Sequence, residues 1–264
     1  MSQDLSAYVA LAERLADAGG AIARRYFRTR VAIDDKADLS PVTIADREAE
    51  AVMRDMIIKA LPDHGVVGEE HGSHKAGASH VWVLDPIDGT RSFVTGRPMF
   101  GGLIALCRDG RPIVGVIDCP AMDERWIGAA GRPTIHRSRF APDTEIKVRA
   151  CPTLAEATLY NTSPQMFDAD GFQRFERVRK ATRLVLYGGD CYAYGLLASG
   201  FTDLVIEADL SGYDWAAIEV VINGAGGSLT GWDGKPLDVT APKSRVLAVG
   251  DPRLREPVIG LLTG

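Results

Sequence analysis

Cysteine is scarce and dispersed. Cys107, Cys119, Cys151 and Cys191 are the only four, and no C-x-x-C spacing occurs. That excludes a thiol-based zinc motif and a disulfide framework, and predicts reduced, mostly buried thiols in a cytoplasmic protein. Positive charge is not in excess either. Thirty lysines and arginines stand against 35 aspartates and glutamates, a net charge of −5, with no basic run. Composition therefore gives no electrostatic support to a nucleic-acid partner. No apolar run approaches membrane-spanning length. The first residues, Met-Ser-Gln-Asp-Leu, have neither the charged region nor the apolar region of a signal peptide. Long repeats and low-complexity tracts are missing too. The expectation is a cytoplasmic protein with no membrane partner and no nucleic-acid partner.

What is present fits a globular protein of one large domain or two, long enough at 264 residues to bury a sizeable core. Leu5, Tyr8, Leu11, Leu15, Ala18, Ile22 and Tyr26 recur at steps of three and four, which predicts a packing helix over residues 4–28. A second helix is expected from Thr43, as N-cap, to about Ala60. Leu61-Pro62 stops it, and Val66-Val67 reads as a short strand.

The most informative stretch is Val81-Trp-Val-Leu-Asp-Pro-Ile-Asp-Gly-Thr-Arg-Ser92. Val81 to Leu84 reads as a buried strand. Asp85 is expected to end it, because Pro86 has no N–H to give a ladder. Asp85 and Asp88, three apart on a turn, can then converge with the Ile87 carbonyl between them. Gly89 and Thr90 follow where a helix can begin and offer free N–H groups. Hard oxygen ligands for Mg²⁺ and donors for an anion thus come from one segment, as metal-assisted phosphate chemistry requires. The same residues also make an ordinary turn, so the other carboxylates decide.

Gly68-Glu69-Glu70 follows the Val66-Val67 strand. If that strand lies beside Val81 to Leu84, one glutamate can reach Asp85. Asp46 falls in the first turn of the second helix, either complementing the dipole or lying beside a metal cluster as an outer ligand. Asp214 begins a helix in Ser-Gly-Tyr-Asp-Trp-Ala-Ala. It can cap that helix and still face a metal site. His64, His71, His74 and His80 fit no compact zinc spacing.

Gly101 to Leu106, Pro112 to Asp118 and Arg125 to Ala129 read as strands, completing an α+β first half, residues 1–140. Residues 137–152, polar and proline-containing, are the expected boundary. Residues 141–264 alternate. Strands are expected at 159–160, 183–186, 203–207, 228–230 and 245–249. Helices are expected at 171–180, 191–199, 214–223 and from Leu254. This is an α/β half.

Gly-Glu-Glu, then Asp-Pro-Ile-Asp-Gly-Thr, then Tyr-Asp-Trp-Ala-Ala with Gly-Ala-Gly-Gly, preceded by Ser-Pro-Val-Thr-Ile-Ala-Asp, resembles the inositol monophosphatase-like family of Mg²⁺-dependent, lithium-sensitive phosphatases. Gly89-Thr-Arg-Ser-Phe93 and Gly188-Gly-Asp-Cys-Tyr-Ala-Tyr194 look most like its bacterial histidinol-phosphatase branch. The resemblance implies a layered α/β/α/β/α sandwich, a homodimer and a small phosphate monoester as substrate. It implies one Mg²⁺ on Glu69, Asp85 and the Ile87 carbonyl, a second on Asp85, Asp88 and Asp214, and a weaker third near Glu69. Thr90 with Glu69 would orient the attacking water, with Asp46 behind them. Gly89 and Thr90 N–H groups would hold phosphate oxygens. No serine, cysteine or histidine nucleophile is required.

Leaving-group choice then rests on acidic residues, since histidinol phosphate carries an ammonium and an imidazole whereas inositol phosphate is neutral beyond its phosphate. Asp190, Glu207 and Asp209 are the candidates. Asp190 is expected either to cap a helix or to bind the ammonium. Arg91 is left open between phosphate, solvent and a dimer interface. An inositol-1-monophosphatase or broad sugar-phosphate phosphatase is the alternative activity.

Overall fold

The computed structural model describes residues 4–30, 33–35 and 41–264. The expected Lys36-to-Ser40 part of the upstream motif lies outside the described residues. The first part of the chain comprises α1 (Ser6–Tyr26), a two-stranded pair β1 (Ile33–Asp35) and β2 (Pro41–Thr43), and α2 (Ile44–Ala60). Strands β3 (Gly65–Gly68), β4 (Gly72–His74) and β5 (His80–Asp88) follow, then the short helix α3 (Thr90–Val94). Next come β6 (Gly101–Arg108), β7 (Arg111–Cys119), β8 (Glu124–Ala129), β9 (Thr134–Ser138) and β10 (Ala141–Ile146). The rest is β11 (Thr158–Asn161), α4 (Ala169–Ala181), β12 (Leu184–Tyr187), α5 (Asp190–Ala198), β13 (Leu204–Leu210), α6 (Gly212–Gly224), β14 (Ser228–Gly231), β15 (Ser244–Val249) and α7 (Arg255–Thr263).

Side-chain alternation along the strands builds the layers. The eight-stranded sheet runs β10-β9-β8-β7-β6-β5-β3-β4. Trp82, Leu84, Ile104, Leu106, Val114 and Val116 face one way, against Leu11, Leu15, Met53 and Ile57 of α1 and α2. Their neighbours Val83, Leu103, Ala105 and Ile117 face α5 and α6. The second sheet, β12-β11-β13-β15-β14, closes on the far side of those helices through Val205, Val246 and Ala248. Its other face packs on Phe175, Val178, Val258 and Leu262 of α4 and α7. The result is the α/β/α/β/α sandwich.

Two strand expectations change. The ladder of β5 does not stop at Asp85. It runs to Asp88, because a bulge between Asp85 and Asp88 sets three steps of β5 against the two from Leu103 to Gly101 of β6. Pro86 is tolerated there since a bulge needs no N–H from it. The segment 137–152, read as a polar connection, contains β10, which pairs with β9 at the edge of the first sheet. Its exposed, polar sequence hides the strand because an edge strand with solvent on both faces shows no apolar alternation.

Helix α6 lies close on the first sheet. A Cβ at Gly115 of β7 would stand 2.2 Å from the Ala217 carbonyl oxygen, and one at Gly128 of β8 would stand 2.8 Å from Val220. These glycines let the helix backbone settle onto the strands, which sets where its N-terminal turn, with Asp214, arrives.

Candidate active site

The bulge places Asp85 and Asp88 together, and α6 brings Asp214 to them. Ligand oxygens of these three carboxylates all lie within 4.8 Å of one another. Asp85 Oδ1 accepts the Ile87 N–H at 3.0 Å, which shapes the turn. Asp214 is held by Ser211, whose N–H donates to its Oδ2 at 2.6 Å. Asp214 is thus a partner of the cap residue rather than the cap itself. Glu69 is delivered by β3, which runs parallel to β5 with Val67 opposite Val83, as the sequence required for it to reach Asp85.

The electrostatics are those of crowded anions. Burial, then the charges of Glu69, Asp88 and Asp214, push Asp85 well above the ordinary carboxylate range. Burial and the charges of Asp190 and Asp214 do the same to Asp88. Burial and Glu69 raise Asp214 to about 7. Like charges this close in a desolvated pocket repel strongly, and a cation among them reverses the sign of the interaction. The donors are all oxygens, the set that suits Mg²⁺.

Asp46 is buried and tied into its own helix start. Its Oδ2 accepts the Thr43 N–H at 2.9 Å and the Thr43 hydroxyl at 2.6 Å. Its Oδ1 stands 3.5 Å from Thr90 Oγ1, which is 3.1 Å from the Ile87 carbonyl oxygen. Asp46 thus serves its own helix start and also stands next to Thr90. Gly89, at φ +82°, precedes the N–H groups of α3. That positive φ suits glycine, and its missing Cβ leaves room for Asp190, which would otherwise be 2.8 Å away.

Asp190 opens α5 at φ +46°, and Ser92 Oγ donates to its Oδ2 at 2.8 Å. Glu207, on β13, is buried. It accepts the Thr162 N–H at 3.0 Å and the Tyr194 hydroxyl at 3.0 Å. Burial raises both carboxyls above their usual range. Asp88, Asp190, Glu207 and Asp214 together line a cavity of about 70 Å³, with Thr162, Met166 and Tyr194 among its other walls. Asp209, expected as an acidic partner, does not join them. It sits exposed on the bulge of β13, 3.7 Å from Lys243. Arg91 is exposed.

Sequence reasoning missed Glu50. Its buried carboxylate accepts the Glu70 N–H at 2.6 Å and the His71 N–H at 3.1 Å, and it lies under Gly68, where a Cβ would stand 2.1 Å from its Oε1. It sets the turn that presents Glu69. The only signal was a glutamate on the buried stripe of α2. Thr162, Tyr194 and Ser92, which orient Glu207 and Asp190, were missed as well, being distant in sequence from what they hold.

The fold, the acidic cluster and the adjoining helix start together define a metal-dependent phosphatase. The inositol monophosphatase family model matches residues 4–262, and the chain belongs to that family. It is therefore a phosphoric monoester hydrolase. It is 47% identical over 264 residues to the chloroplastic bifunctional phosphatase IMPL2 of Arabidopsis thaliana, covering 97% of this chain and 75% of that one. It is 38% identical over 226 residues to a histidinol-phosphatase of Mycobacterium tuberculosis, covering 85% and 87%. An inositol monophosphatase structure from Zymomonas mobilis superposes with a TM-score of 0.89 at 43% identity, covering 99% of both chains. Among the described residues, no helix is long and apolar enough to cross a membrane.

Proposed function

We propose that this phosphatase hydrolyses L-histidinol phosphate to L-histidinol and inorganic phosphate, the dephosphorylation that histidine biosynthesis needs. The observation that carries the reading is the cavity beside the acidic cluster, walled by Asp190 and Glu207 as well as by Asp88 and Asp214. Two carboxylates beyond the metal-ligand set can accept from hydroxyls or from an ammonium group, and their negative charge favours the cation over a neutral polyol. The histidinol-phosphatase names among the relatives support the same choice.

Glu69, Asp85 and the Ile87 carbonyl would hold one Mg²⁺, Asp85, Asp88 and Asp214 a second, with Glu69 also near a weaker third. Bound there, Mg²⁺ supplies neutralisation of phosphate charge, a lowered water pKa and stabilisation of the leaving oxygen. The chain's own groups do the positioning. Asp46 accepts from the Thr90 hydroxyl, which turns a Thr90 lone pair toward a water proton. Glu69 accepts the other proton and aims that water at phosphorus. Gly89 and Thr90 N–H groups hold phosphate oxygens at the α3 start. Asp190, oriented by Ser92, and Glu207, oriented by Thr162 and Tyr194, hold the ammonium of the leaving group.

Hydrolysis of inositol-1-phosphate is the second reading, favoured by the 43% identity to the Zymomonas inositol monophosphatase. Phosphate release in Mg²⁺ from the two substrates at matched concentrations separates them. A kcat/KM preference of about a hundredfold for L-histidinol phosphate corresponds to about 2.7 kcal/mol of transition-state discrimination and is the expected result. A preference for inositol-1-phosphate would overturn the substrate assignment and leave the metal chemistry standing.

A further inference from the structure

Two guanidiniums stand near Asp190, one wall of the acidic cavity, without forming a salt bridge to it. Arg91 lies on α3 and Arg97 just beyond it. Both are exposed, and among the described residues neither side chain makes a salt bridge or hydrogen bond. Arg97 rests against the turn that leads into Asp190. A Cβ at Gly188 would stand 2.7 Å from Arg97 Nη2 and 3.3 Å from Nη1. Both arginines are near enough to favour the charged form of Asp190. The hydrogen bond to that carboxylate nevertheless comes from Ser92. The guanidinium donors are left free beside a carboxylate that is already oriented.

An acidic pocket with two arginines near one of its walls matches a leaving group that carries both charges. In L-histidinol phosphate the carbon bearing the ammonium also bears an imidazolylmethyl group. If the phosphate and ammonium are seated as proposed above, that third substituent is next to the ammonium. Replacing it by a carboxylate gives an amino-acid phosphate ester. Arginine presents paired N–H donors in a plane that fits a carboxylate. We propose that Arg91 and Arg97 form a carboxylate subsite, and that the enzyme also hydrolyses phosphate esters of hydroxy amino acids, O-phosphoserine being the smallest. The proposal rests on the aminoalkyl phosphate reading of the same site. The water oxygen forms a new bond to phosphorus. The ester P–O bond breaks with its electron pair on the serine oxygen, which takes a proton, so the products are serine and inorganic phosphate.

The test compares O-phosphoserine with phosphoethanolamine, which keeps the ammonium and phosphate but lacks the carboxylate. Both enantiomers are needed, because overlaying the phosphate arm and ammonium of L-histidinol phosphate puts the carboxylate of the D form where the imidazolylmethyl group was. The better enantiomer should exceed phosphoethanolamine in kcat/KM by about tenfold, as expected for hydrogen bonds to a charged group. Arg97→Gln, checked for folding by its thermal melt, should bring that ratio to about one, mainly through KM. A ratio near or below one in the unmodified protein overturns the subsite, and so does a ratio that survives both Arg97→Gln and Arg91→Gln. Phosphoethanolamine hydrolysis would still stand in those cases. Failure of the underlying reading looks different: no release from any of the amine-bearing esters, with inositol-1-phosphate hydrolysed.

Discussion

The backbone N–H of Cys191 donates a 2.6 Å hydrogen bond to Asp88 Oδ2. Asp88 ends a strand of the first sheet, and Cys191 lies in the first turn of α5, the helix between the two sheets. A free N–H at a helix start, with the positive end of the dipole behind it, stabilises a carboxylate placed there. One contact thus joins the two halves of the chain at the acidic cluster and orients the residue that both halves share.

Asp88→Asn tests the cluster. An asparagine oxygen can still accept from Cys191, so the fold should remain and the thermal midpoint of the metal-free protein should not fall. Turnover should drop by at least about a hundredfold, since several kcal/mol of charge stabilisation depend on the ligand set. Mg²⁺ should raise the Tm of the unmodified protein through binding to the folded state, and much less that of the variant. Near-normal turnover at saturating Mg²⁺ would remove Asp88 from the metal site.

Asp190→Asn is the cleaner probe of leaving-group recognition than alanine. Asparagine accepts the positive φ of this position and can still receive the Ser92 hydrogen bond. Only the charge is lost. KM for L-histidinol phosphate should rise by about tenfold, the worth of a charge-assisted hydrogen bond, while that for inositol-1-phosphate stays put. Equal effects on both substrates would assign Asp190 to shaping Gly89 instead.

Gly115→Ala tests how α6 is seated. The new Cβ meets the Ala217 carbonyl oxygen at 2.2 Å, so strand and helix must separate. Stability should fall by about 1–3 kcal/mol, the usual cost of overpacking. Because α6 carries Asp214, the Mg²⁺ concentration for half-maximal activity should rise as well. An unchanged urea midpoint would mean the layers are more yielding than their spacing implies.

His64 predicts an acid limit to stability. Its ring stacks on His80 at 5.0 Å between centroids, lies 5.6 Å from Tyr8 and accepts the Trp82 indole N–H at 3.2 Å. Burial, then the neighbouring His80, hold its pKa below the ordinary histidine value, with Asp63 opposing. The unfolded chain therefore takes up the proton first. Stability from this site is present above the ordinary value, about 6.5, and is lost as pH falls from there through the folded value. In saturating Mg²⁺, Tm should decline between about pH 7 and pH 5, and His64→Gln should flatten that decline. An identical slope in the variant would exclude His64 as a source.

Much of this protein was legible locally. Thr43 as a cap, the helix to Ala60, the Val66-Val67 strand and the helix start after Gly89 follow from short-range chemistry that the fold does not override. The strand β10 was not legible, because exposure on both faces erased its pattern. Asp209 looked equivalent to Glu207 in sequence, two residues on along β13. The bulge that breaks the ladder after Glu207 leaves it outside, beside Lys243.

The sequence by itself determined most of the elements, their order and the kinds of oxygen donor available, since capping, alternation and turn chemistry act over a few residues. Only the tertiary structure decided which carboxylates meet. Asp85 and Asp88 converge through a bulge set by pairing with β6. Asp214 arrives because two glycines let α6 lie on the first sheet, and Glu207 and Asp190 arrive because the second sheet closes over the same helices. Those are contacts between segments far apart in the chain, and sequence spacing carries no record of them.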